Sequence, residues 1–178
     1  KFSQYLPEFG YEPQVLTTSA FGVDRQGALG EGALRAWEPI GLYRRWRNPA
    51  ARDDAAAAAR VRTGAGTSRL RRWRERLLIP DGQISWVPAA AMAALRRLQV
   101  GDLDLIFTTS PPPSSLLLGR FLRRQTGLPW VADFRDAWTF DPLDPDLLRQ
   151  PFRHAIEQRM EAAVVADAGL GSDFEVWR

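Results

Sequence analysis

The 178 residues carry 24 Lys and Arg against 21 Asp and Glu, and the resulting charge of +3 is too small to mark the whole protein as a nucleic-acid binder. The sequence has no cysteine and a single histidine, His154, which excludes disulfides, thiolate nucleophiles, Cys-ligated zinc and any site that needs two imidazoles. At 45% apolar and 25% charged it has the make-up of one globular domain, and no apolar run approaches the ~18 residues of a spanning helix.

The charge is unevenly placed. Residues 44–76 hold eleven arginines against three acidic groups, whereas residues 127–178 hold ten acidic groups against five arginines. Lys1 is the only lysine, and together with the alanine run 55–59 this points to a GC-rich coding sequence rather than to selection for guanidinium chemistry.

In chain order, Phe2, Leu6 and Phe9 have helical spacing, and Gly10 is placed to end that helix in a left-handed conformation. Residues 13–18 and 33–38 read as short strands separated by a glycine-rich loop. Residues 41–47 suggest a short helix. Residues 48–68, rich in Ala, Arg and Gly without apolar periodicity, are expected to be a mobile insertion. Leu70, Trp73, Leu77 and Leu78 then form one stripe, with Arg69, Arg71, Arg72, Arg74 and Arg76 around it. That stripe is either a solvated helix lying over a core contact or a helix with Trp73 and the leucines inserted into anionic lipid.

After Pro80-Asp81-Gly82, Pro88 opens a helix whose apolar positions are Met92, Leu95 and Leu98. Residues 102–109 read as a buried strand, and residues 110–115 as the turn into a helix with Leu117, Leu118, Phe121 and Leu122 on its apolar face and Gly127 at its end. Residues 129–134 are the next strand. A long helix follows, with Leu148, Phe152, Ile156, Met160 and Val164 in an i, i+4 ladder and His154 off it, in solvent. Strands alternating with helices predict an α/β domain: a Rossmann-like parallel sheet with helices on both faces.

In such sheets ligands meet the loops at the carboxyl ends of the strands. Asp133, Arg135 and Asp136 sit in that position, where limited water access is expected to shift carboxylate pKa values. They form either a substrate clamp with general acid/base capacity or a salt bridge that closes the turn. The loop from Ser110 to Ser115 precedes a helix and either cradles a phosphate through N–H groups and hydroxyls or contributes a plain N-cap. The other glycine-rich stretches lack the spacing of a nucleotide fingerprint.

Four segments, in order and covering about half the chain, carry a resemblance: FSQYLPEFGYEPQVLTT at 2–18, IPDGQISWVPAA at 79–90, DLIFTTSPPPSSLLLGRFLRRQTGLPWVADFRDAW at 104–138 and IEQRMEAAVVADA at 156–168. They resemble the N-terminal domain of bacterial glycosyltransferases of family four. The resemblance implies the first half of a GT-B enzyme, in which this domain recognises the acceptor and a following domain binds the nucleotide-sugar, with retention at the anomeric carbon and no required metal. The E-x7-E glutamate pair of the donor domain is absent from the sequence. The strand and Gly-rich loop that would precede the first helix are also missing, so the chain is expected to be an incomplete, single acceptor-side domain.

Positions matching the family's cleft motifs are Ser110, Pro111, Asp133, Arg135, Asp136 and Trp138. The match does not assign individual roles; from their place at the strand ends, Asp133, Asp136 and Arg135 are expected to be catalytic, and Ser110, Pro111, Ser114 and Trp138 to bind the acceptor. No cofactor is expected in this chain beyond the nucleotide-sugar held by the absent domain. The expected partner is a sugar or lipid-linked acceptor, with an anionic membrane surface as a second and nucleic acid as none. The expected location is cytoplasmic, with the inner face of the cell membrane as a peripheral site. Two rival readings stand: a phosphate-handling hydrolase with Asp133 and Asp136 on a metal, and a non-catalytic domain that docks on membranes.

Overall fold

A computed structural model describes residues 2–18, 33–38, 78–98, 103–140 and 151–168. Its elements are α1 (Phe2–Tyr5), continued by a 3₁₀ turn Leu6–Phe9, then β1 (Leu16–Thr18) and β2 (Leu34–Ala36). A 3₁₀ turn Ile84–Trp86 leads into α2 (Val87–Leu98), followed by β3 (Ile106–Ser110), α3 (Pro113–Thr126), β4 (Trp130–Phe134) and α4 (Pro151–Asp167). The class is α/β. The strands form two separate parallel pairs, β1 with β2 and β3 with β4, rather than one continuous sheet.

The β3–α3–β4 unit is the centre of the molecule. Its strands run parallel in a register that sets Ile106 beside Trp130 and Thr109 beside Asp133, so both end at the same edge. Leu116, Leu118 and Leu122 of α3 are buried with Ile106 and Trp130 in one core cluster. The helix lies close to the strands because Gly119 has no side chain: a Cβ there would stand 2.4 Å from Trp130 Nε1 and 2.7 Å from Thr108 Cγ2. Trp130 Nε1 meanwhile donates to Thr108 Oγ1 at 2.9 Å, so its one polar atom is satisfied inside the core. Gly127 ends α3 at φ +72°, its N–H returning to Arg123 O, and Gly10 closes the first helical segment in the same left-handed way.

On the other side of the strands no helix packs among the described residues. Phe107 and Val131, paired across β3 and β4, are both exposed, as is Leu105 just ahead of them. Period-two alternation sends Phe107 and Val131 away from α3, and among the described residues the core cluster lies only on the α3 side.

Two helices depart in part from the faces read from the large apolar residues, although Leu95, Met160 and Val164 pack inward as expected. In α2 the buried residues are Ala90, Ala91 and Ala94, while Met92 is 56% exposed. This helix packs on α3 and on both β1 and β2, and small side chains let it approach all three. In α4 Phe152 is 79% exposed, whereas Glu157 and Val164 are buried and Met160 is packed against the core. Met160 and Val164 face inward as the ladder predicts, but in the first turns Arg153 and Glu157 take the inward side one position round from Phe152 and Ile156, because the Arg153–Glu157 pair satisfies itself. Arg153 Nε donates to Glu157 Oε1 at 2.6 Å, so the first turns bury a polar pair in place of Phe152. Leu148, the helix suggested over 41–47 and the expected insertion at 48–68 lie outside the described residues.

Contacts at both ends of α4 fix its direction. Arg153, in its first turn, donates through Nη2 to Pro80 O at 2.6 Å, next to Asp81, which bonds the start of α3. Asp167, its last residue, accepts from Arg120 and Arg124 further along α3. The two helices therefore run the same way, and α4 begins at the edge where β3 and β4 end.

Candidate functional site at the carboxyl edge of the strands

Pro80 and Asp81 tie the starts of three helices together. Asp81 lies just ahead of the turn into α2, its Oδ1 accepting from Gln83 N at 2.7 Å. Its Oδ2 accepts from Ser114 N, in the first turn of α3, also at 2.7 Å. The neighbouring Pro80 O accepts from Arg153 in the first turn of α4. Helix starts present unpaired N–H groups and the positive end of the backbone dipole, so a carboxylate is the natural occupant of this position. Burial nevertheless pushes the Asp81 carboxyl above its ordinary value of 3.8, against the opposing pull of the Ser114 and Gln83 N–H groups, the Ser114 hydroxyl and the Arg153 charge.

The expected phosphate cradle is thus already engaged by the chain itself. Ser115 Oγ turns back to Thr109 O at 2.5 Å and to Pro112 O at 2.8 Å, which closes the loop instead of facing outward. Ser110 and Ser114 are buried, while Pro111 is exposed on the rim. The helix begins without a side-chain cap from Pro112, and Asp81, distant in sequence, takes that role.

The second loop is built by the register. Thr109 Oγ1 donates across the strands to Asp133 Oδ2 at 2.9 Å, and Arg135 Nε approaches the same oxygen at 3.4 Å. Arg135 N also reaches Ser110 O at 3.3 Å, so the chain leaving β4 is pinned to the end of β3. The expected desolvation of this group is not found. Arg135 and Asp136 are exposed and Asp133 is about a third exposed, because β4 ends at Phe134 and the next residues are already beyond the sheet. Asp136 has no partner among the described residues. Trp138, expected to face an acceptor, is instead part of the core cluster. The structure brings Asp133, Arg135 and Thr109 together, leaves Asp136 open beside them, and buries Ser110, Ser114 and Trp138 underneath.

Sequence reasoning missed one kind of group here. Four buried side-chain atoms apart from the Ser114 hydroxyl, which lies against Asp81, make no hydrogen bond among the described residues: Ser85 Oγ, Trp86 Nε1, Trp138 Nε1 and His154 Nδ1. Ser85 and Trp86 precede α2, His154 stands in the first turn of α4, and Trp138 follows β4; Trp86 and Trp138 lie in the core cluster. Buried polar groups are usually paired, by ordered water where the protein offers no partner. His154 is half-buried here rather than in solvent, because α4 turns its Arg153 side inward.

The basic stripe Arg69, Arg71, Arg72, Trp73, Arg74 and Arg76 lies outside the described residues. Among the described residues no three His, Asp or Glu side chains converge as metal ligands, and no helix is long and apolar enough to cross a membrane. Compared with protein-family models, curated proteins and solved structures, the chain matches none of them.

Proposed function

We propose that the chain is the acceptor-side domain of a retaining glycosyltransferase, the Rossmann-like first half of a GT-B enzyme, moving a sugar from a nucleotide carrier to a cell-envelope or polysaccharide acceptor. The observation that supports this best is the strand register that gathers Thr109, Asp133 and Arg135 at the carboxyl edge of β3 and β4, with Asp136 exposed beside them, where open α/β sheets receive their ligands. A hydroxyl-rich acceptor supplies donors for these carboxylates. Asp136, exposed at the rim, accepts the hydrogen bond of the attacking hydroxyl and orients it. Asp133, held by Thr109 and Arg135, fixes the loop that carries Asp136. The nucleotide-sugar and its departing diphosphate belong to a following donor domain. The stripe from Arg69 to Arg76 is the proposed contact with anionic lipid, to be checked by salt-sensitive flotation with anionic vesicles.

The test is sugar transfer by the enzyme with its donor domain, alongside the 178-residue chain alone. Asp136→Asn is expected to lower turnover by at least about tenfold, equivalent to ~1.4 kcal/mol of transition-state stabilisation, with the melting temperature nearly unchanged. The isolated chain is expected to transfer nothing. Turnover by the isolated chain, or near-wild-type turnover in well-folded Asp136→Asn protein, would reject the reading.

A further inference from the structure

We propose that Trp37 is the stacking platform of a second subsite on this edge, holding one sugar ring of an oligosaccharide acceptor apart from the ring whose hydroxyl is attacked. The inference rests on the acceptor-site reading above and adds to it the class of acceptor, but its test is one of binding and needs no sugar transfer.

The two strand pairs share one carboxyl edge. Helix α2 starts there, since Asp81, in the turn ahead of it, bonds Ser114 at the start of α3. Its far end is tied to the beginning of β1, where Arg97 Nε donates to Gln14 Oε1 at 3.0 Å. β1 therefore runs opposite to α2, and β2 lies parallel to β1, so Thr18 and Ala36 end their strands toward the edge at which β3 and β4 end.

Alternation along β2 then decides which face each side chain takes. Ala36 belongs to the core cluster and Glu38 is 3% exposed, whereas Arg35 and Trp37 are exposed, Trp37 at 55%. Trp37 thus lies on the face away from α2, just as Asp133, two residues on from the exposed Val131, lies on the face away from α3. Because α2 and α3 pack against each other, the indole of Trp37 and the carboxylate of Asp133 share both a face and an edge. The backbone that carries the indole is held on both sides. Ala36 is packed in the core, and Glu38 Oε2 accepts from Thr18 Oγ1 at 2.9 Å, the same threonine-to-carboxylate bond that joins Thr109 to Asp133.

An anchored indole is a rigid, flat apolar surface with one donor at its rim, and it costs little conformational entropy to use. A pyranose ring fits it, with C–H groups on one face and hydroxyls around the edge. A lipid chain fits less well, because the neighbour of Trp37 on this face of β2 is the charged Arg35. Helices packed side by side stand about 8–10 Å apart, so Trp37, on the strands that α2 covers, is set aside from Asp133, on the strands that α3 covers. The ring on Trp37 is therefore not the ring at Asp136, and an acceptor that reaches both is an oligosaccharide.

The experiment is an NMR titration of the 178-residue chain with glucose, cellotetraose and chitotetraose, following the Trp37 indole N–H, identified by its loss in Trp37→Phe, and the Asp136 amide. At least one tetrasaccharide is expected to shift both signals saturably with a single dissociation constant, about tenfold or more tighter than glucose, because one molecule makes both contacts. Trp37→Ala is expected to weaken that tetrasaccharide about tenfold at the Asp136 amide with the melting temperature unchanged, and Trp37→Phe, which keeps a ring, to weaken it less. An indole signal that stays still up to about 50 mM of both tetrasaccharides, enough to fill a millimolar site, overturns the inference. So does an indole that moves while Asp136 does not, a Trp37→Ala protein that binds as the wild type does, or an indole that responds to phosphatidylglycerol vesicles and to no saccharide. Saccharide binding at both signals without sugar transfer by the enzyme with its donor domain would reject the glycosyltransferase reading alone, and transfer with a silent Trp37 would reject this inference alone.

Discussion

Gly119 and Trp130 share one space: the indole of Trp130 fills the position where any other residue at 119 would carry its Cβ, 2.4 Å from Nε1 and 2.6 Å from Cε2. The atoms in the way belong to a rigid ring held by its own hydrogen bond to Thr108, and they cannot swing aside as a flexible side chain would. This contact sets how closely α3 lies on β3 and β4.

Gly119→Ala decides between two opposing effects. In an exposed helix interior the change would stabilise by about 1 kcal/mol through helix propensity. Here overpacking costs about 1–3 kcal/mol or more, since both Trp130 and Thr108 would have to move. The expected result is a net loss of stability in urea unfolding. An unchanged or raised midpoint would mean that the helix slides outward freely.

The Arg153–Glu157 pair makes a second prediction about packing. Glu157 is 2% exposed, and Arg153→Ala would strand its carboxylate while also releasing Pro80 O. A loss of about 3 kcal/mol is expected, with the double substitution Arg153→Met and Glu157→Leu costing markedly less because no buried charge is left over. Chemical denaturation of the single and double variants measures the difference.

Acid is expected to weaken the contact at the far end of α4. The Arg124 guanidinium, with Arg120 beside it, holds the Asp167 carboxyl below its ordinary 3.8. The folded state therefore binds this proton less readily than the unfolded state. The contribution is complete above about pH 3.8 and disappears as the pH falls through the lowered value. Asp167→Asn should cost little at neutral pH, as expected of a largely solvated pair, and should flatten the acid side of the stability curve.

Asp81 has the opposite sign. Burial raises its carboxyl, so the folded state takes up the proton first, and stability attributable to this group falls as the pH rises from 3.8 through the raised value. Measured by urea unfolding across the pH range, Asp81→Asn should compare best with the wild type at neutral pH and progressively worse as the pH is lowered. A difference independent of pH would show that the carboxyl titrates as it does in the unfolded chain.

The β3–α3–β4 unit was legible in the residues because its signals are local: a short apolar strand, a leucine-bearing helix, Gly127 at the helix end and a second strand led by Pro129. The position of Asp133 near the end of β4 and of Asp136 just past it followed from the same reading. The faces of α2 and α4 followed only in part, through Leu95, Met160 and Val164. Periodicity of large apolar residues points to Met92 and Phe152, but close packing selected Ala90, Ala91 and Ala94, and ion pairing turned Arg153 and Glu157 inward. Nor could spacing reveal Asp81. Its local bond to Gln83 N is the ordinary behaviour of an aspartate in a Pro-Asp-Gly turn, whereas its bond to Ser114 joins residues 33 positions apart.

The phase between β3 and β4 restricts where this chain tolerates a change of length. Thr109 can reach Asp133 only because the connection through α3 delivers the two strands in one register, with Ser110 level with Phe134. Adding or deleting a single residue between Gly127 and Pro129 would slip β4 by one position, turning Trp130 out of the core and swinging Asp133 to the side of α3. The distance along the chain from Thr109 to Asp133 works as a fixed ruler for the loops at the carboxyl edge.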